Sequence, residues 1–107
     1  EDLPTRIRKL QGEHPWLTAA TATRVVHAYG THADKIFAGK DTLKELGQHF
    51  GGGLYQVEVD YLIKNEWAQT ADDVLWRRSK LGLHIGLAGQ AALKDYIHDY
   101  MRDDMKV

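Results

Sequence analysis

Cysteine is absent from these 107 residues, which excludes disulfide bridges and thiolate chemistry, and permits a reducing compartment without requiring one. A surplus charge of either sign is missing as well. With 14 Lys and Arg against 15 Asp and Glu, the formal net charge is −1, so there is no electrostatic case for nucleic acid as a partner. No apolar run approaches the roughly 18 residues needed to cross a bilayer, and no signal-peptide pattern opens the chain, so no transmembrane segment is expected. Sustained alternation of apolar and polar residues is lacking too, β-branched content is low, and no strand is expected. There is no internal repeat and no low-complexity tract.

What is present is enough to fold. A hydrophobic content of 43% argues against disorder. A chain of this length can bury roughly 60 to 70% of the surface its unfolded form exposes, which suffices for one core without staples. The first residue is Glu1 rather than methionine, so the polypeptide is expected to be processed or cut from something longer.

The periodicity predicts an all-α fold, a small single-domain bundle of about five to six helices spanning residues 1–107. Pro4 suits a first helical position, and Ile7 with Leu10 gives a short amphipathic turn ending near Gly12. After the His14-Pro15-Trp16 loop, Thr18 can cap a helix to Tyr29 with Ala22, Val25, Val26 and Tyr29 on one face, closed by Gly30. Thr31 or His32 opens a short helix with Ala33, Ile36 and Phe37 inward. Asp41 is expected to cap a further turn through Leu43 and Leu46, closed by Gly47. From Leu54 to about Glu66, Leu54, Val57, Tyr61 and Leu62 form an apolar stripe, opposed by Gln56, Asp60 and Lys64. The longest helix is placed at about Leu87 to Asp103, with Leu93, Tyr96, Ile97, Tyr100 and Met101 inward and Lys94, Asp95, His98, Asp99 and Arg102 outward.

The segment Glu66 to Leu83 carries most of the chemistry. Thr70 and Asp73 have the spacing of a capping box, which starts a helix with Asp72 and Asp73 at its positive end and Arg77, Arg78 and Lys80 at its negative end. On an α-helix Arg78 lies over Val74 and Leu75, on the side of Ala71, which is the apolar face. A guanidinium there needs an acceptor, since it cannot lose its proton. Glu58 sits inside the apolar stripe of the preceding helix, where an unpaired charge would cost several kcal/mol. Glu58 or Glu66 is therefore expected to pair with Arg77 or Arg78, clamping two helices across the Trp67 to Gln69 turn. Glu58 as a general base is the sharper alternative, but no nucleophile or metal-ligand set accompanies it.

Other features invite chemistry and fall short of it. The histidines His14, His27, His32, His49, His84 and His98 include no pair one helical turn apart backed by a glutamate, so no metal site is expected, only solvated or locally hydrogen-bonded imidazoles. Gly51-Gly52-Gly53 lacks the lysine and hydroxyl residue of a phosphate loop and reads as a flexible linker. Trp16, Trp67 and Trp76 are core or interface anchors rather than base-stacking platforms, given the absent basic patch.

The run Glu66, Asp73, Val74, Leu75, Arg77, Arg78 and Gly82, preceded by Glu58, Tyr61, Pro15-Trp16-Leu17 and Tyr29-Gly30, resembles the C-terminal domain of FAD-dependent glycerol-3-phosphate dehydrogenase. The likeness runs from about Leu3 to Tyr100. It departs at Gly51-Gly52-Gly53, where the family more often enters the helix through a polar capping turn. The resemblance implies a parent enzyme that oxidises sn-glycerol 3-phosphate to dihydroxyacetone phosphate on FAD and passes the electrons to membrane quinone. It implies a cytoplasmic domain, with the parent peripheral on the cytoplasmic face of the inner membrane, and admits a homo-oligomer. Flavin and substrate residues of the family belong to a larger N-terminal region, so no catalytic, cofactor-binding or metal residue is carried onto this chain. Gly82, Gly86 and Gly89 have the wrong spacing for a Gly-x-Gly-x-x-Gly fingerprint. The implied partner is the FAD-binding domain of the same polypeptide, and Trp76, Arg77 and Arg78 are candidates for either the internal clamp or that interface. The alternatives are a free-standing helical protein-interaction domain and a DNA-binding module; the balanced charge disfavours the second of these.

Overall fold

The computed structural model describes residues 3–66, 68–78 and 85–105, with Arg77, Arg78 and residues 103–105 described by their backbone alone. The expected Trp67 anchor and the stretch 79–84, including Gly82 and His84, lie outside the described residues. The architecture is mostly helical, as expected, and the chain divides into two compact units, Glu1–Gln48 and His49–Val107.

In the first unit, α1 (Leu3–Glu13) packs on α2 (Ala19–Tyr29), and α3 (Ala33–Phe37) follows through a short 3₁₀ turn, Gly30–His32. The turn between α1 and α2 is fixed by main-chain bonds from His14 N–H to Leu10 C=O and from Leu17 N–H to His14 C=O, both 2.9 Å. Thr18 caps α2 as expected: its extended backbone lets the side-chain oxygen accept from the Thr21 N–H at 3.2 Å. Leu10, Ala22, Val25, Val26, Tyr29, Ala33, Ile36 and Phe37 are all buried. His14 is buried among them. Its Nδ1 donates to the Lys40 carbonyl at 3.2 Å, and its ring meets Trp16 edge-on at 5.2 Å.

One cap differs from expectation. Asp41 does not cap the following 3₁₀ turn (Leu43–Leu46); Thr42 holds the N-cap position without a side-chain bond. The Asp41 N–H instead donates to Glu45 Oε1 at 3.1 Å. The acid four residues ahead reaches back, so the aspartate side chain is not required there.

The second unit opens on a β-hairpin where a linker and no strand were expected. β1 (His49–Gly51) pairs antiparallel with β2 (Leu54–Tyr55), His49 opposite Tyr55 and Gly51 opposite Leu54. Gly51, Gly52 and Gly53 take φ of 116°, 58° and 82°, a backbone region that side chains strongly disfavour, and so the glycine run is a built turn. The Gly53 N–H donates to His49 Nε2 at 3.2 Å, and the imidazole stacks on Tyr55 at 4.5 Å. Strands this short cannot display alternation, which is why the pattern was silent.

Because Leu54 and Tyr55 belong to the hairpin, α4 begins at Gln56 and runs to Asn65. Its buried positions are Glu58, Val59 and Leu62, while Val57 and Tyr61 are half-buried. Val59 joins the buried face although it lies off the expected stripe of Leu54, Val57, Tyr61 and Leu62. After Ala71 and Asp72 the chain winds as a π-helix over Asp73–Arg78, where an α-helix was expected. The α-helical spacing that places Arg78 over Val74 therefore does not apply to that segment.

α5 (Leu87–Met105) buries Leu93 and Ile97 and keeps Lys94, Asp95, His98, Asp99 and Arg102 exposed, as expected, extending slightly past the expected end. It lies close against β1. A Cβ built at Gly89 would fall 2.1 Å from the Phe50 carbonyl oxygen, so the contact exists only because position 89 carries no side chain. Gly89→Ala should destabilise the chain by roughly 1–3 kcal/mol or more, because the obstructing atom is backbone and cannot rotate aside. Thermal unfolding checks this; a melting temperature equal to the parent's would contradict the close approach.

Candidate functional site

The turn leading into the π-helical segment is held by its own side chains. Asp73 Oδ2 accepts from the Gln69 N–H at 3.0 Å and the Thr70 N–H at 3.2 Å, and the Thr70 hydroxyl oxygen accepts from the Asp73 N–H at 3.2 Å. This is the capping box read from the sequence, with one extra donor. It fixes where the segment starts, and Ala71, Val74 and Leu75 are buried behind it.

Of the residues expected to form a site, Glu58 is 2% exposed, as its place in the apolar stripe required, and it is not left without a partner. Glu66 closes α4 with its N–H on the Leu62 carbonyl at 3.0 Å. Tyr61 is half-buried on the same helix, and its carbonyl accepts from Asn65 Nδ2 at 3.2 Å. α4 packs against the π-helical segment. The side chains of Arg77 and Arg78 lie outside the described residues. Trp76 is 50% exposed although the adjoining Val74 and Leu75 are fully buried.

The sequence reading missed a polar contact between α4 and α5. Asp60, assigned to an outward Asp60–Lys64 face, accepts a hydrogen bond from the Tyr96 hydroxyl, and Tyr96 had been counted as apolar. The Tyr96 ring is tilted against Phe50 at 5.7 Å and Tyr100 at 6.3 Å. Burial, and then the hydrogen bond to the Asp60 carboxylate, hold the Tyr96 hydroxyl well above the ordinary tyrosine pKa. A tyrosine sharing a stripe with leucines could have carried this signal, since its hydroxyl needs a partner when buried.

The same turn and α5 enclose an open concavity of about 530 Å³. Its lining includes the apolar Ala71, Ile97 and Met101 and the charged or titratable Asp72, Lys94 and His98. Among the described residues no three His, Asp or Glu side chains lie close enough to hold a metal ion. No helix among the described residues is long and apolar enough to cross a membrane.

Residues 3–107 match the family model described as the C-terminal domain of alpha-glycerophosphate oxidase. The chain is 46% identical over 89 residues to a glycerol-3-phosphate dehydrogenase of Pseudomonas aeruginosa, covering 83% of this chain and 17% of that protein. It is 37% identical over 95 residues to D-erythritol 1-phosphate dehydrogenase of Brucella abortus, covering 89% and 19%. With the aerobic glycerol-3-phosphate dehydrogenase of Escherichia coli it shares 29% identity over 107 residues, covering 100% and 21%. The chain thus spans about a fifth of the length of the curated relatives it matches.

The Tyr96–Asp60 bond sets a stability term with a definite pH sign. The tyrosine pKa is higher folded than unfolded, so the neutral hydroxyl's contribution is complete below the unfolded value near 10 and is lost as pH rises above it. Tyr96→Phe should cost about 1–2 kcal/mol at neutral pH, the charged acceptor being discounted for partial exposure. The gap between parent and variant should narrow above about pH 10 in denaturant unfolding; a gap that widened there would contradict the assignment.

Proposed function

Because this chain belongs to the family of the C-terminal domain of alpha-glycerophosphate oxidase, we propose that it serves as the non-catalytic C-terminal domain of a flavin-dependent sn-glycerol-3-phosphate dehydrogenase. The observation that carries this reading is the match of residues 3–107 to that family model, joined by likeness to proteins about five times longer, two of them named for glycerol 3-phosphate and one for D-erythritol 1-phosphate. The substrate of the whole enzyme is a polyol phosphate, with glycerol 3-phosphate first among candidates. The whole enzyme oxidises that substrate's secondary alcohol to the ketone on FAD and delivers the two electrons to membrane quinone, lying peripherally on the cytoplasmic face of the inner membrane.

Among the described residues, two glycine features do not fit a flavin. The glycine turn Gly51–Gly53 leads into a strand rather than a helix N-terminus, and the open side of Gly89 faces the Phe50 carbonyl. A pyrophosphate needs backbone N–H groups at the start of a helix, approached through glycines with free space. The reading assigns the flavin and the reacting substrate to the remainder of the polypeptide, with this domain packed against it.

The same reading assigns the buried carboxylate of Glu58, or that of Glu66, to an arginine at position 77 or 78. That clamp would join α4 to the segment after the capping box and give the domain a fixed scaffold for its partner. Its support is the burial of Glu58 beside Val59 and Leu62, together with the packing of α4 on the π-helical segment. Two measurements test the reading. The 107-residue chain with glycerol 3-phosphate, FAD and an artificial acceptor should show no turnover, whereas the polypeptide from the complete reading frame should turn over; activity in the short chain would overturn the non-catalytic role. Glu58→Gln should cost roughly 3–5 kcal/mol in denaturant unfolding, the loss typical of orphaning one member of a buried pair. A loss under about 1 kcal/mol removes the clamp.

A further inference from the structure

We propose that Trp76 is the anchor by which this domain docks onto the remainder of the dehydrogenase polypeptide, presented for that purpose by the π-wound segment Asp73–Arg78. The inference rests on the reading of the chain as one domain of such an enzyme.

The winding is the first observation. Asp73-Val74-Leu75-Trp76-Arg77-Arg78 contains neither glycine nor proline and follows a complete capping box, so its local sequence favours an ordinary α-helix. The segment enters with an α-type bond, Val74 N–H to Thr70 C=O at 3.3 Å, and then widens. Local propensity does not account for that widening. π turns are uncommon, and they concentrate at functional sites because they re-aim a side chain without breaking the helix.

The second observation is what the winding displays. Val74 and Leu75 are 0% and 1% exposed, whereas the next residue, Trp76, is 50% exposed. Among the described residues, the exposed large apolar side chains are Leu3, Leu43, Trp76 and Leu87, and Trp76 alone is aromatic. A tryptophan presents more apolar area than any other side chain on a rigid two-torsion frame, which is why it recurs at the centres of interfaces.

The third is the occupant. The relatives are about five times the length of the segment they share with this chain, so in each of them most of the polypeptide is tethered to this domain. Tethering raises the effective concentration of the partner surface, and contacts between domains of one chain are small and rather polar. One aromatic anchor is the kind of contact such an interface uses.

The test places a photo-reactive benzoylphenylalanine at position 76 of the polypeptide from the complete reading frame, which keeps an aromatic side chain there. Irradiation should join position 76 to a peptide of the same polypeptide outside these 107 residues, identified by mass spectrometry. Cross-linking to a second copy or to another protein, or no cross-link, would overturn the proposal. Turnover of glycerol 3-phosphate or D-erythritol 1-phosphate by the unmodified polypeptide, measured in parallel, separates the two readings. Absence of turnover with both glycerol 3-phosphate and D-erythritol 1-phosphate defeats the dehydrogenase assignment itself, whereas turnover without the cross-link defeats only the docking. In the same polypeptide, Trp76→Lys should speed thermolysin cleavage between the domain and the remainder at least about five-fold, while Trp76→Phe stays within about two-fold of the parent. Equal rates in all three proteins would also overturn the proposal.

Discussion

The second unit depends on one close approach, the backbone of α5 lying against the Phe50 carbonyl at Gly89. Two elements can come this near only where one lacks a side chain, and the nearness has consequences along the helix. Two turns further on, Tyr96 meets the Phe50 ring and donates a hydrogen bond from its hydroxyl to Asp60 on α4. Leu93 and Ile97, one helical turn apart, are buried on the same helix. A hairpin of two very short strands would be marginal alone. Here α5 packs against one of its strands, and its glycine turn is closed by His49.

The other polar group of consequence is the Glu58 carboxylate, withdrawn from solvent beside Val59 and Leu62. Burying a charge is costly unless its partners are fixed in place. In the capping box, Asp73 satisfies two main-chain donors and Thr70 a third, so the segment carrying Trp76 begins at one residue and no other.

Membership in a family of C-terminal domains agrees with what the site contains and with its chemistry. The described residues bring together side-chain caps and a tyrosine–aspartate bond that tie elements to one another, and a buried carboxylate on α4. The segment is shared by proteins named for glycerol 3-phosphate and for D-erythritol 1-phosphate, and the proposed scaffold role is compatible with both. Fold and chemistry are separable in this way because function resides in sites borne on folds.

Most of the helical content was legible without coordinates, because helix signals are local. Thr18, the Thr70–Asp73 pair, Gly30 and Gly47 act within a few residues of themselves, and the apolar spacing of α2, α3 and α5 survives any rearrangement of their surroundings. The burial of Glu58 followed from its neighbours on the same helix. What the sequence left open was decided by groups far apart in the chain. Asp60 looked like half of a surface pair with Lys64 until Tyr96, 36 residues away, supplied a donor. The glycine run became a hairpin turn because His49 and Tyr55 pair across it, and too few residues form the strands to show a period. The π winding and the half-open Trp76 have no local cause in Asp-Val-Leu-Trp-Arg-Arg. Short-range bonds select an element and its ends; only packing between elements sets its phase, its exact winding and the side chains it leaves facing outward.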